Sequence, residues 1–132
     1  MAARLGGPLV THPTVRHRPG LPDDARAGVT RPSADCPVEI TLAALRGRWT
    51  TLVVRELLAA DRPLAYGELS AALPSLSDKV LTDRLHQLVE AGVAERHRSA
   101  GWPPAVHYHL TPRGQALGPV LQSLWDWGSS TS

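Results

Sequence analysis

Between Ser77 and Leu110 the spacing of apolar residues changes from helical to alternating, and that change restricts the fold more than any other feature of the chain. Leu81, Leu85 and Leu88 recur three and four apart, flanked by Val80 and Val89, and so share one helical face. Ser77 is a good N-cap, and Gly92 falls just past the last apolar position, which predicts a helix over 77–91. Two short runs follow, 93–98 and 105–110, the second alternating Val106, Tyr108 and Leu110 with Ala105, His107 and His109. Residues 99–104 are the loop between them. A hairpin this short is not stable alone in water, so it must lie against helices.

Upstream, Pro37 suits a first helical turn, and Glu39 stands three residues after Cys36, a capping-box spacing with a thiol in place of the usual hydroxyl. This predicts a short helix to about residue 45, interrupted by Gly47. Trp49, Leu52, Val53 and Leu57 mark a second helix that Asp61-Arg62-Pro63 breaks, with Arg48, Arg55 and Glu56 on or near its other faces. Leu69 and Leu73 mark a short third helix over about 66–73, ended by Pro74. After the hairpin, Thr111-Pro112 opens a last helix with Leu117, Val120, Leu121, Leu124 and Trp125 at helical spacing. The expected class is mainly α (α+β): a winged helix-turn-helix with a two-stranded wing and a C-terminal helix.

A length of 132 residues allows one domain, and 42% hydrophobic residues suffice for its core. Residues 1–35 carry Pro8, Pro13, Pro19, Pro22 and Pro32 with four glycines between them, and are expected to form a disordered arm. The domain is then expected over 36–128, with 129–132 as a tail. The arm also carries the excess charge. Its five Arg and three Asp, set aside from totals of 14 basic and 12 acidic residues, leave nine of each sign in 36–132. Bulk charge is therefore weak support for nucleic-acid binding, which must rest on local placement. No apolar run approaches the roughly 20 residues that span a bilayer, and no secretory pattern opens the chain. The single cysteine rules out an intrachain disulfide. A cytoplasmic setting is expected.

On the fourth helix Lys79, Thr82, Asp83 and His86 face away from the leucines, with Ser77 at the helix start. Such a polar face offers donors and acceptors to base edges in the major groove, and makes these five residues the candidate DNA contacts. Arg96 and Arg98 share a strand face and, with Trp102 near the hairpin tip, could reach phosphates or the minor groove. Arg84 borders the apolar face and is expected to form an ion pair with Glu56 or Glu68 rather than to read bases. His97, His107 and His109 could ligate zinc, but no Cys or carboxylate nearby completes a ligand pattern, so no metal or cofactor is expected. There is no nucleophile–base constellation and no glycine-rich phosphate loop, which argues against an enzyme. A winged helix that binds proteins instead of DNA remains the alternative. So does a small-molecule sensor that makes no direct operator contact. Cys36, at a helix start, sits where unpaired N–H groups stabilise a thiolate; the alternative is a small capping residue kept reduced.

Across residues 36–128 the chain reads Cys36-Pro37, Gly47-Arg48-Trp49, Tyr66-Gly67-Glu68-Leu69 and Ser77-Asp78-Lys79-Val80-Leu81-Thr82-Asp83-Arg84-Leu85. It continues as Gly92-Val93-Ala94-Glu95-Arg96, then Pro103-Pro104-Ala105-Val106-His107-Tyr108-His109-Leu110-Thr111, then Trp127-Gly128. This ordered set resembles the HxlR-type family of transcriptional regulators. Two positions depart from it: Ala65 stands where an Arg is usual, and Arg48 replaces a Lys. The resemblance implies a winged helix that binds double-stranded DNA as a homodimer joined through its first and last helices. Leu117, Leu121, Leu124 and Trp125 would supply the last helix's share. In similar family members the cysteine at the position of Cys36 senses oxidants or electrophiles, which makes it the candidate redox-sensing residue. A small-molecule or oxidant effector is therefore an expected partner class.

Overall fold

A computed structural model of the chain describes residues 23–28 and 35–130. They belong to two compact units, residues 1–41 and 42–132. In the first, Ala25–Gly28 forms one turn of 3-10 helix. The rest of the arm expected over 1–35, Asp23, Asp24 and Asp35 apart, lies outside the described residues. Helix α1 (Pro37–Ala44) starts with proline in its first position, as expected. The Cys36 carbonyl accepts from the Ile40 N–H at 2.9 Å, and Thr41 Oγ1 donates to the Pro37 carbonyl at 3.0 Å.

The second unit contains α2 (Thr50–Ala60), β1 (Leu64–Ala65), α3 (Tyr66–Ala72), α4 (Asp78–Glu90), β2 (Ala94–Arg98), β3 (Val106–Leu110), α5 (Pro112–Gln115) and α6 (Leu117–Ser129). Its core takes Val53, Val54 and Leu57 from α2, Leu69 from α3, Leu81, Leu85 and Leu88 from α4, and Tyr108 and Leu110 from β3. The three α4 leucines are fully buried, as their spacing predicts. Removing such side chains from water is the main term that holds a unit of this size together.

Two elements differ from the sequence expectation. The wing hairpin β2–β3 has a third neighbour: the sheet runs β1-β3-β2, all antiparallel, with Leu64 opposite Tyr108 and Ala65 opposite His107. A two-residue strand is too short to show alternation, so its partner on β3 defines it. The last helix is also broken in two at Ala116. Pro119 lacks an N–H, and in a continuous helix its ring would press on the carbonyl four residues back, that of Gln115. The chain turns there and restarts as α6. At the start of α5, Thr111 Oγ1 accepts from the Gly114 N–H at 3.0 Å and donates to the Gly92 carbonyl at 2.6 Å. That hydroxyl fastens the start of α5 to the turn that ends α4. Among the described residues no helix is long and apolar enough to cross a membrane.

Candidate nucleic-acid interface

Helices α3 and α4 and the turn between them form a helix-turn-helix, and the sequence at each end explains its geometry. Ser77 caps α4, its Oγ accepting from the Val80 N–H at 3.2 Å. At the start of α3, Glu68 reaches back to the Ala65 N–H at 2.9 Å, half of a capping box, because alanine offers no acceptor in return. Arg62 Nη2 pairs with Glu68 Oε2 at 2.8 Å. The Arg62 hydrogen bond, and then that from Ala65, hold the Glu68 carboxyl well below its usual 4.5, at about 2.

The outer face of α4 carries Lys79, Asp83 and His86, all exposed. Lys79 Nζ lies 3.1 Å from Asp83 Oδ2, one turn apart. Asp83 therefore offsets the lysine's charge and fixes where it points. Thr82, expected on the same open face, is half-buried, with its Oγ1 3.3 Å from the Tyr66 hydroxyl. The one proton of that hydroxyl is shared between the Asp78 carbonyl and Oδ1, each 3.2 Å away. Tyr66 is thus a hinge pin between the two helices. Sequence reasoning placed it at the α3 start but did not see the role.

The rear of α4 is held by polar contacts as well as by leucines. Arg84 forms no ion pair with Glu56 or Glu68, contrary to the sequence expectation. Its Nε donates instead to the Arg48 carbonyl at 2.9 Å, since Glu68 is already engaged by Arg62. Gln87 Nε2 donates to the carbonyls of Ala44 at 3.0 Å and Arg46 at 2.8 Å. Helix α4 is clasped to the turn at residues 44–48. Gly47 has φ +94°, and a Cβ on it would stand 3.0 Å from Arg84 Cζ. Only glycine suits that backbone and that space.

In the wing, Arg96 lies opposite Tyr108 and Arg98 opposite Val106. Directly paired residues share a sheet face, so both arginines extend the face that buries Tyr108 and Leu110, beyond the edge of the core. Glu95, His97, His107 and His109 take the other face, where His109 Nε2 lies 2.9 Å from Glu95 Oε1 and His97 pairs across from His107. Among the described residues no three His, Cys, Asp or Glu side chains are placed to hold a metal ion. Trp102, in the loop at the tip, is 92% exposed.

The residues assigned to dimerisation divide. Leu117 and Leu121 are only 9% exposed and belong to this chain's own core, because α6 turns them toward α2. Leu124 and Trp125 are 55% and 61% exposed, and Val120 and Trp127 add to them. Cys36 is half-buried and is not disulfide-bonded.

A capped helix with an open polar face, pinned behind a turn and followed by a hairpin bearing two exposed arginines, defines a winged helix-turn-helix transcriptional regulator. The model of the HxlR-like helix-turn-helix family matches residues 44–132, and the chain belongs to that family. It is 40% identical over 94 residues to the uncharacterised HTH-type transcriptional regulator sll1512 of Synechocystis, covering 71% of this chain and 68% of that one. Among solved structures it is similar to the oxidised form of the redox regulator HypR. There the identity is 31% and the TM-score 0.63, over 74% of this chain and 98% of HypR. It is also similar to reduced YodB from B. subtilis, with 32% identity and a TM-score of 0.62 over 70% and 90% of the two chains. YodB has also been solved in a quinone-bound form.

Proposed function

We propose that the chain binds an inverted-repeat operator in double-stranded DNA as a homodimer, with α4 reading base edges and the wing gripping the backbone. The observation that carries this reading is the exposed row of Lys79, Asp83 and His86 on α4, opposite leucines that are fully buried. Lys79 and His86 supply donors, and Asp83 orients Lys79 or accepts from a cytosine amino group. Ser77 and Thr82 complete the contact set at its edge, although each hydroxyl already serves a protein partner. Arg96 and Arg98 approach phosphates or the minor groove beside it. Two copies would join in part through α6, where Val120, Leu124 and Trp127 form an exposed apolar flank beside Trp125. The domain for this activity spans 36–128, the reading involves no catalytic step, and the protein acts in the cytoplasm.

Cys36 is the residue proposed to bring an oxidant or electrophile response. Support comes from its place before α1 and from the redox and quinone states in which HypR and YodB are known. As the only cysteine, it could form a disulfide only with a thiol of another molecule.

Selection of bound duplexes from random DNA, with and without oxidant, tests the proposal. The dimer should recover two inverted half-sites about 10 base pairs apart, or a multiple of that turn. His86→Ala should change which sequences are preferred. Arg96→Ala and Arg98→Ala should weaken all duplexes alike and lower the salt slope. A dimer that prefers no duplex over random DNA at physiological salt would overturn the operator reading and favour a protein-binding winged helix.

A further inference from the structure

The groove between α2 and α6 has a volume of about 610 Å³, within the 300–1,000 Å³ range of small-molecule sites. Its walls are Leu58 of α2 and Leu121 and Leu124 of α6, with Trp125 at one side. Gly118 leaves it open: a Cβ there would only reach ordinary contact with Leu58, at 3.9 Å, so a longer side chain would project into the space. On the α6 wheel, Gly118 and Trp125 lie to one side of the buried Leu117 and Leu121, whereas Val120 and Trp127 lie to the other. Apart from the shared Leu124, the groove and the apolar flank described above are separate surfaces.

One charge faces this groove, whose lining also includes Thr51 and Gln122. Arg55 is exposed, no carboxylate lines the groove, and among the described residues no acid forms a salt bridge with Arg55. The Arg55 guanidinium sits 5.5 Å over the Trp125 ring. A guanidinium held over an aromatic ring keeps N–H donors that a carboxylate can take with two hydrogen bonds.

We propose that the groove binds a planar aromatic carboxylate, its ring between the leucines and Trp125 and its anion on Arg55. The site would exist whether or not the dimer recognises an operator, so binding is measured on the full-length chain without DNA. Isothermal titration with 2-naphthoate and with its neutral amide, 2-naphthamide, separates charge from shape. The acid should bind saturably and about threefold or more tighter than the amide, within the range of an ion pair at an exposed arginine. Arg55→Gln should bring the acid down to the level of the amide. Gly118→Leu should abolish binding of both while leaving the thermal midpoint unchanged or higher, because the position is helical and has no positive φ. Equal binding of acid and amide, an acid affinity unmoved by Arg55→Gln, unchanged binding by Gly118→Leu, or no saturable binding would each overturn the proposal. So would conversion of dimer to monomer by 2-naphthoate in sedimentation, which would give the groove to a second copy instead.

Discussion

Glu68 serves two neighbours at once, closing the start of α3 through the Ala65 N–H and holding the Arg62 guanidinium. Both contacts need the carboxylate, which is why its protonation is pushed from 4.5 down to about 2. A carboxyl with a depressed folded value contributes stability in full above its unfolded value and loses it as pH falls toward the folded one. The loss therefore falls between pH 4.5 and about 2, and none occurs near neutrality. Carboxyl carbon shifts followed by NMR should give a Glu68 midpoint near 2, and Arg62→Ala should move it back toward 4.5. A midpoint that Arg62→Ala leaves in place would mean that the arginine is not the main cause. Arg84 shows the limit of reading partners from sequence: its border position on the helix was evident, but its acceptor is a main-chain carbonyl 36 residues away. Every residue carries a carbonyl, so no residue type could mark that partner.

Among the elements, α4 and the wing were legible because caps and spacing agree: Ser77, three leucines and Gly92, then alternation. The polar face of α4 followed from the same wheel, except that Thr82 turns toward Tyr66. What period could not reveal was anything made by a distant partner, as in β1, the Tyr66 pin and the Gln87 grip. The break before α6 did leave a signal, Pro119, and so did the tight start of α5. There Gly114 is buried, and a Cβ on it would overlap the Val93 carbonyl oxygen. Gly114→Ala should therefore destabilise the fold by about 1–3 kcal/mol, the usual range for overpacking, although alanine is the better helix former. Urea unfolding decides this: a midpoint equal to or above wild type would show that α5 can move away from the Val93 carbonyl without penalty.

For the whole molecule, Leu117 and Leu121 stabilise the single chain, so shortening α6 would damage the fold along with any association. Charge placed on the outer flank is the cleaner probe. The pair Val120→Glu and Trp127→Glu, at positions 37% and 83% exposed, should give a folded monomer in sedimentation with a near-native circular dichroism spectrum. A fully dimeric double variant would move the association surface off α6. The clasp behind the recognition helix has a consequence for how such a chain changes over generations. Arg84 and Gln87 grip Ala44, Arg46 and Arg48 by their carbonyl oxygens, which all amino acids present alike. The exposed side chains of Arg46 and Arg48 can therefore change without dislodging the helix, whereas Ala44 and Leu45 are also held by packing on the core and position 47, at φ +94° against the Arg84 guanidinium, favours glycine.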